Sequence, residues 1–300
     1  MTLPPPYYPF PLHNDHTIRA DMYPLGMVLN GRQESNHFEV DQQYVDYIEQ
    51  KLHILKQHED QHHCIDLSEQ RQLTHALENI WKQFQQEHPT IANGDYLPAR
   101  LSAEIKHWLK RQQNPTIRLA NHIALHMQED LVLMHQGYAE WIHVCFPSNW
   151  RPVEKFGLDF SQIHQPIPEG NQLLKASDNV VKAMTYKKAY VRFGWILSNN
   201  SYRNQHPDTV KPSLTYKHSQ DLLNQLWLRM ERQTTYPMPD LNRSLFTIRI
   251  YQQPLLDALN TPEKQVRFTG IIRTLSPALA VYKGLDTIYA PLLEGLESLR

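Results

Sequence analysis

The run LWLRMERQTT (226–235), a turn around Pro237 and Pro239, and then SLFTIRIY (244–251) decide the fold class. Both runs are rich in strand-forming residues, and the prolines between them stop one ladder before the next begins, so they read as two strands able to pair antiparallel. Working outward, AEWIHVCF (139–146) and AYVRFGWIL (189–197) read as two more strands. Short helical pieces over about 152–157 and 160–165, and a longer helix over about 171–185, lie between them. Further upstream the period changes to that of a helix: Tyr44, Ile48, Leu52 and Leu55, then Leu73, Leu77, Ile80, Trp81 and Phe84, recur at spacings of three and four. A third helix over about 102–112 and a fourth over about 116–134 follow, and the tail from Pro262 is helical again. The first 40 residues read as an extended arm lying on the body. Helices, then strands with short helices between them, then helices make an α+β pattern with too few strands for a barrel. We read one domain over 1–300: arm and helices to residue 136, a sheet core over 137–255, and C-terminal helices over 256–300.

Composition removes several functions. Thirty basic residues against 31 acidic ones leave a net charge of −1, which gives no electrostatic case for nucleic acid or an anionic membrane. The two cysteines, Cys64 and Cys145, are too few for a disulfide framework, a Cys-ligated zinc or an iron–sulfur cluster, which fits a reducing cytoplasm. The opening MTLPPPYYPF lacks a basic segment followed by an apolar one, and no apolar run approaches membrane-spanning length, so neither export nor anchoring is expected. The closest glycines, Gly26 and Gly31, exclude G-x-G-x-x-G and G-x-S-x-G. Although they have P-loop spacing, Arg32 and Gln33 stand where Lys and Ser/Thr would be needed.

Histidine, at 17 residues, is the informative excess. His58 and His62, and again His122 and His126, have the i, i+4 spacing of two zinc ligands. Charged flanks and the lack of a third ligand favour a solvated helix end for the first pair, and apolar neighbours favour core packing for the second. His164 stands in DFSQIHQPIP, where Pro166 and Pro168 must end a short helix and hold the chain direction. Such a rigid edge suits an axial metal or haem ligand, and it equally suits a histidine that caps a helix or bonds a backbone carbonyl. In the third strand, alternation sets Arg229, Glu231 and Gln233 on one face and Leu228, Met230 and Arg232 on the other. Arg229 and Glu231 either line a polar pocket or lie solvated on an edge strand. Arg151 and Lys155, near Trp150, either hold an acidic cofactor group or are surface charges.

The segments CFPSNWRPVEKFG (145–157), IHQPIP (163–168), RMERQT (229–234) and LFTIRIY (245–251) resemble, in order and spacing, the alpha subunit of haem-dependent oxidative N-demethylase and its relatives. The likeness extends more weakly to TIRADMYPL and the VDQQY helix start. It implies a PAS-like antiparallel sheet over 137–255 whose short-helix flank clasps haem b. It implies His164 as proximal ligand, Arg229 and Glu231 as distal residues that polarise oxygen or receive an amine, and Arg151 and Lys155 as propionate partners. Trp195 is a further expected cofactor contact. The implied reaction converts a small secondary methylamine to a primary amine and formaldehyde with oxygen and two electrons. This chain has no nucleotide-binding loop, so a separate reductase subunit must supply those electrons. Gly194, before Trp195, departs from the asparagine usual in the family and leaves the substrate open. A haem-based gas or redox sensor, or a structural relative without cofactor, are the competing expectations.

Overall fold

The computed structural model describes residues 2–94 and 96–299. The arm runs extended to a two-residue strand β1 (Tyr23–Pro24), then forms a small hairpin of β2 (Val28–Leu29) and β3 (Arg32–Gln33). Asn30 and Gly31 both take positive φ in its turn, the conformation that a tight two-residue hairpin requires. Next come α1 (Tyr44–His62), strand β4 (His63–Ile65), α2 (Gln70–Glu87), α3 (Pro89–Ala92), α4 (Ala99–Lys110) and α5 (Pro115–Ala124). The expected periodic residues of α1 and α2 form their buried stripes, Tyr44, Ile48, Leu52 and Leu55 on one and Leu73, Leu77, Ile80 and Phe84 on the other.

The helix expected over 116–134 ends at Ala124, and Asp130–His135 is instead strand β5. A short, wholly apolar run such as LVLM has no period that separates a strand from a buried helix. Neighbours decide it: β5 pairs on one side with β6 (Tyr138–His143) and on the other with β9 (Arg243–Pro254). A 3-10 turn (Pro152–Lys155) and helices α6 (Phe160–His164), α7 (Asn171–Lys175) and α8 (Ser177–Tyr186) lead to strand β7 (Tyr190–Ser198). Helix α9 (Ser219–Gln225), strand β8 (Trp227–Met238) and β9 follow. Helices α10 (Leu255–Ala258), α11 (Pro262–Arg273), α12 (Pro277–Tyr282) and α13 (Tyr289–Glu297) close the chain.

Seven strands form one sheet in the order β1-β7-β8-β9-β5-β6-β4, every pairing antiparallel, so the architecture is α+β. Strands β1, β4 and β5 all come from before residue 137. Because β8 lies between β7 and β9, Arg229, Glu231 and Arg232 occupy an interior strand, which corrects the solvated-edge alternative. The period-2 alternation of the strands divides their residues between two layers. One face (Leu131, Leu133, Trp141, Leu245) packs on α1, α2, α4 and α5, and its continuation (Leu228, Met230, Tyr251) meets α9 to α13. The opposite face turns Val132, Met134, Ile142 and Phe246 toward the 145–186 segment. No described helix is long and apolar enough to cross a membrane.

Candidate functional site

The second sheet face, the flank α6 to α8 and the arm enclose a cavity of about 580 Å³. That lies within the ~300–1,000 Å³ typical of cofactor and ligand sites. Val132, Met134, Ile142, Phe246 and Ile248 make its sheet wall, and Ile163 and Ile167 face them from the flank. Residues Pro11 to Arg19 cross its rim, where His16 N–H donates to Thr274 Oγ1 at 2.8 Å. The arm passes so close to α11 that a Cβ on Gly270 would stand 2.6 Å from the Asn14 carbonyl oxygen.

His164 ends α6 and lines this cavity. Asp159 starts the helix with a capping box: its carboxylate accepts from Gln162 N–H at 2.8 Å, and the Gln162 side chain accepts from Asp159 N–H at 3.0 Å. Pro166 cannot extend the helix, so one and a half turns hold the imidazole between two stops. His164 Nδ1 donates to the Phe160 carbonyl at 2.7 Å, the ring lies 4.1 Å from that of Phe160, and Nε2 has no hydrogen-bond partner among the described residues. Burial, aided by Arg192 and Lys155, lowers its pKa to about 4, so the ring is neutral at pH 7. A neutral imidazole with one nitrogen tied to a carbonyl and the other free is the form in which histidine ligates a metal.

Across the cavity, β7 and β8 set Arg192 opposite Gln233 and Gly194 opposite Glu231. The Glu231 carboxylate accepts from the Ser148 hydroxyl and, at 2.7 Å, from the Gln233 amide. Ser148 Oγ in turn accepts from Arg229 Nε at 2.9 Å. Arg229 lies outside the cavity lining. Its other nitrogens donate to the carbonyls of Phe146 at 2.6 Å and Arg203 at 2.8 Å, and the Asp130 carboxylate accepts from Cys145 and Phe146 N–H at 2.9 and 2.8 Å. The CFPS turn is therefore held from both sides, and it brings Ser148 to Glu231.

The other expected residues are spread around the rim. Arg151 lies at the mouth and pairs with Asp208 at 2.6 Å, while Lys155 lines the wall beside His164 with no carboxylate within salt-bridge distance among the described residues. Trp195 contributes to the wall, edge-on to His16 at 5.5 Å. The paired histidines do not form a metal site. A kink at His58 breaks the face that it would share with His62, His62 Nδ1 donates to the Val144 carbonyl, and His126 Nδ1 donates to the His122 carbonyl. Among the described residues no three His, Cys, Asp or Glu side chains gather to hold a metal.

Sequence reasoning misses three groups. Arg192 is a guanidinium in the cavity wall with no hydrogen bond or ion pair among the described residues, its Nε buried and unpartnered. A single arginine inside the apolar run AYVRFGWIL is the signal that marks it. His16 also presents a buried, unpartnered Nε2, and Lys283 reaches the wall from beyond α12. Nothing local in the sequence marks either one, because the arm and the C-terminal segment meet the cavity only in the fold.

The chain matches, over residues 29–293, the family model described as haem-dependent oxidative N-demethylase, alpha subunit-like. It belongs to that family. The description carries haem dependence and a multi-subunit enzyme, and the cavity suits such a cofactor. A porphyrin needs apolar walls and one axial donor, and the sheet wall and His164 Nε2 offer both. Haem also brings two carboxylates. Lys155 and Arg192 are two wall cations without a carboxylate of their own, whereas Arg19 and Arg151 are already paired with Asp15 and Asp208. Lys155 is half-buried and Arg192 has a buried, unpartnered Nε; leaving such cations unpaired is costly unless a ligand anion meets them, so the residues present fit the group.

Proposed function

We propose that this family member is the haem b-binding subunit of an oxygen-dependent oxidative N-demethylase acting on a small secondary amine. The observation that carries it is the free Nε2 of His164, whose ring is held by its Nδ1 bond to Phe160 and lines an apolar cavity. The antiparallel sheet with a short-helix flank is the arrangement that a PAS-like haem module would use. When bound, haem supplies the site of oxygen reduction and methyl oxidation. The net change consumes a secondary methylamine, oxygen, two electrons and two protons, and gives a primary amine, formaldehyde and water.

The protein's own groups have separable roles. His164 would hold the haem iron, and Lys155 and Arg192 would meet its carboxylates, with Arg151 at the mouth and Trp195 in the wall. Glu231 receives the protonated amine, oriented by Ser148 and Gln233, while Arg229 acts through Ser148 as a positioning residue. The apolar wall excludes water, which strengthens the attraction between Glu231 and the ammonium. Electrons come from a separate reductase subunit, in keeping with a family defined by likeness to an alpha subunit.

The test is reconstitution of the full chain with hemin, followed by the Soret band and by amine-dependent oxygen uptake with an electron donor. We expect near-equimolar haem, a loss of affinity of at least about a hundredfold in His164→Ala, and little change in His16→Ala. A spectrum that responds to His16→Ala and not to His164→Ala overturns the ligand assignment. Haem uptake without amine-dependent oxygen consumption replaces the enzyme with a sensor.

A further inference from the structure

Gly194 sits in the middle of β7 without needing to be glycine. Its φ is not in the left-handed region, and a Cβ there would meet Glu231 Oε2 at 3.7 Å and Gln233 Nε2 at 3.9 Å, which are ordinary contacts. A strand glycine forfeits packing and costs conformational entropy, so one that the backbone does not require often marks a close approach by a ligand. The cavity that Gly194 lines also holds two opposite charges that do not meet among the described residues. On one side the Glu231 carboxylate is tethered by Ser148 and Gln233. On the other, Lys283 Nζ donates to the Trp195 carbonyl at 2.9 Å and lies 4.1 Å from the centre of the Trp195 ring. No carboxylate lies within salt-bridge distance of Lys283 among the described residues.

Two opposite charges in one poorly solvated cavity attract strongly and close into an ion pair if nothing holds them apart. Here each is held by bonds of its own, Glu231 to Ser148 and Gln233 and Lys283 to the Trp195 carbonyl. The arrangement is complementary to a molecule with its charges in the opposite sense, an ammonium for Glu231 and a carboxylate for Lys283.

We infer that the substrate class of this site is an N-methylated amino acid, its methylammonium on Glu231 beside Gly194 and its carboxylate on Lys283 in the same cavity. This deepens the N-demethylase reading and rests on its placement of the amine at Glu231. The lysine can hold a carboxylate at neutral pH, because burial lowers its pKa only to about 8 against the opposing pull of Glu231 and leaves it largely charged at pH 7. Tyr282, whose hydroxyl is pushed above its usual range by burial and by Glu231, lies beside it in the wall.

Calorimetric titration of the full chain, with and without hemin, separates the possibilities without relying on turnover. The probes are N-methylglycine and dimethylamine, which share the amine and differ in the carboxylate. We expect N-methylglycine to bind about ten- to hundredfold more tightly, the worth of one charge-assisted hydrogen-bonded contact. Lys283→Met removes that preference and Lys283→Arg retains most of it, with circular dichroism confirming that both fold. Gly194→Val weakens both amines. Equal binding of the two amines by the unaltered chain overturns the inference whatever the variants do. So does a Lys283→Met protein that loses haem but keeps the preference, because the lysine then serves a haem carboxylate. If the chain binds N-methylglycine selectively yet takes up no haem, the inference stands and the haem reading fails. If it takes up haem and ignores the carboxylate, the inference alone fails.

Discussion

The two faces of the sheet treat buried charge in opposite ways. On the face toward α1, α2 and α5, Arg232 meets Glu34 at 2.7 Å and Arg249 meets Asp41 at 2.6 Å, all four side chains being nearly or wholly inaccessible. Arg249 also lies over the Tyr47 ring at 3.9 Å. Around the cavity, which reaches from the other face past the β7 edge, Arg192 and Lys283 lack any such partner among the described residues, and His164 and His16 each keep an open nitrogen. Paired charges of the first kind hold the arm and the helical layer to the strands. Unpaired charges of the second kind are costly to folding, and a ligand between them would offset that cost.

The sharpest way to break this contrast is to orphan a charge on the paired face. Glu34→Ala leaves Arg232 buried without its closest counter-ion, and we expect a loss of about 3–5 kcal/mol in urea unfolding. A loss under about 1 kcal/mol would mean that the pairs on this face contribute no more than surface ones. An intermediate effect comes from acid. His164 and His16 both have pKa values lowered to about 4 by burial, against an ordinary 6.5 in the unfolded chain. The unfolded state therefore binds more protons between those values. Their contribution to stability is complete above pH 6.5 and is lost as pH falls toward 4. We expect hydrogen-exchange protection factors, taken relative to the intrinsic exchange rate at each pH, to fall about tenfold or more in α6 and the arm from pH 7 to pH 5, with β8 and β9 changing less. Protection that falls equally in both sets removes the distinction. The smallest effect is the most diagnostic. Arg192→Met deletes a half-buried cation that has no salt-bridge partner among the described residues, and the apo chain should change by less than about 1 kcal/mol, or gain stability, while haem uptake weakens.

How much of this is legible in the sequence varies from residue to residue. Four strands, the short-helix flank and the periodic stripes of α1 and α2 are readable because alternation and helical spacing are local properties. Strand β5 is not, since LVLM is apolar on both faces and its identity depends on having β6 and β9 beside it. His164 stands out through Pro166 and Pro168, which restrict the backbone whatever the rest of the chain does. Arg229 and Glu231 share a strand face as expected, yet only Glu231 reaches the cavity. The Arg229 guanidinium is taken up by the turn at 146–148, which no spacing rule places beside it. The resemblance in the motifs and the match over 29–293 agree on the family, and four ordered segments suffice for that.

From its own residues the chain determines an antiparallel α+β architecture, a rigid histidine at a helix end, and membership in a haem-dependent family. Tertiary structure alone decides which charges are left over. Whether an arginine is structural or functional depends on the carboxylate that reaches it, and Glu34 and Arg232 are 198 residues apart. The same holds for Lys283, which meets Trp195 from 88 residues away. Local sequence specifies what a segment prefers to be, whereas neutralisation of a buried charge is settled by distance in space.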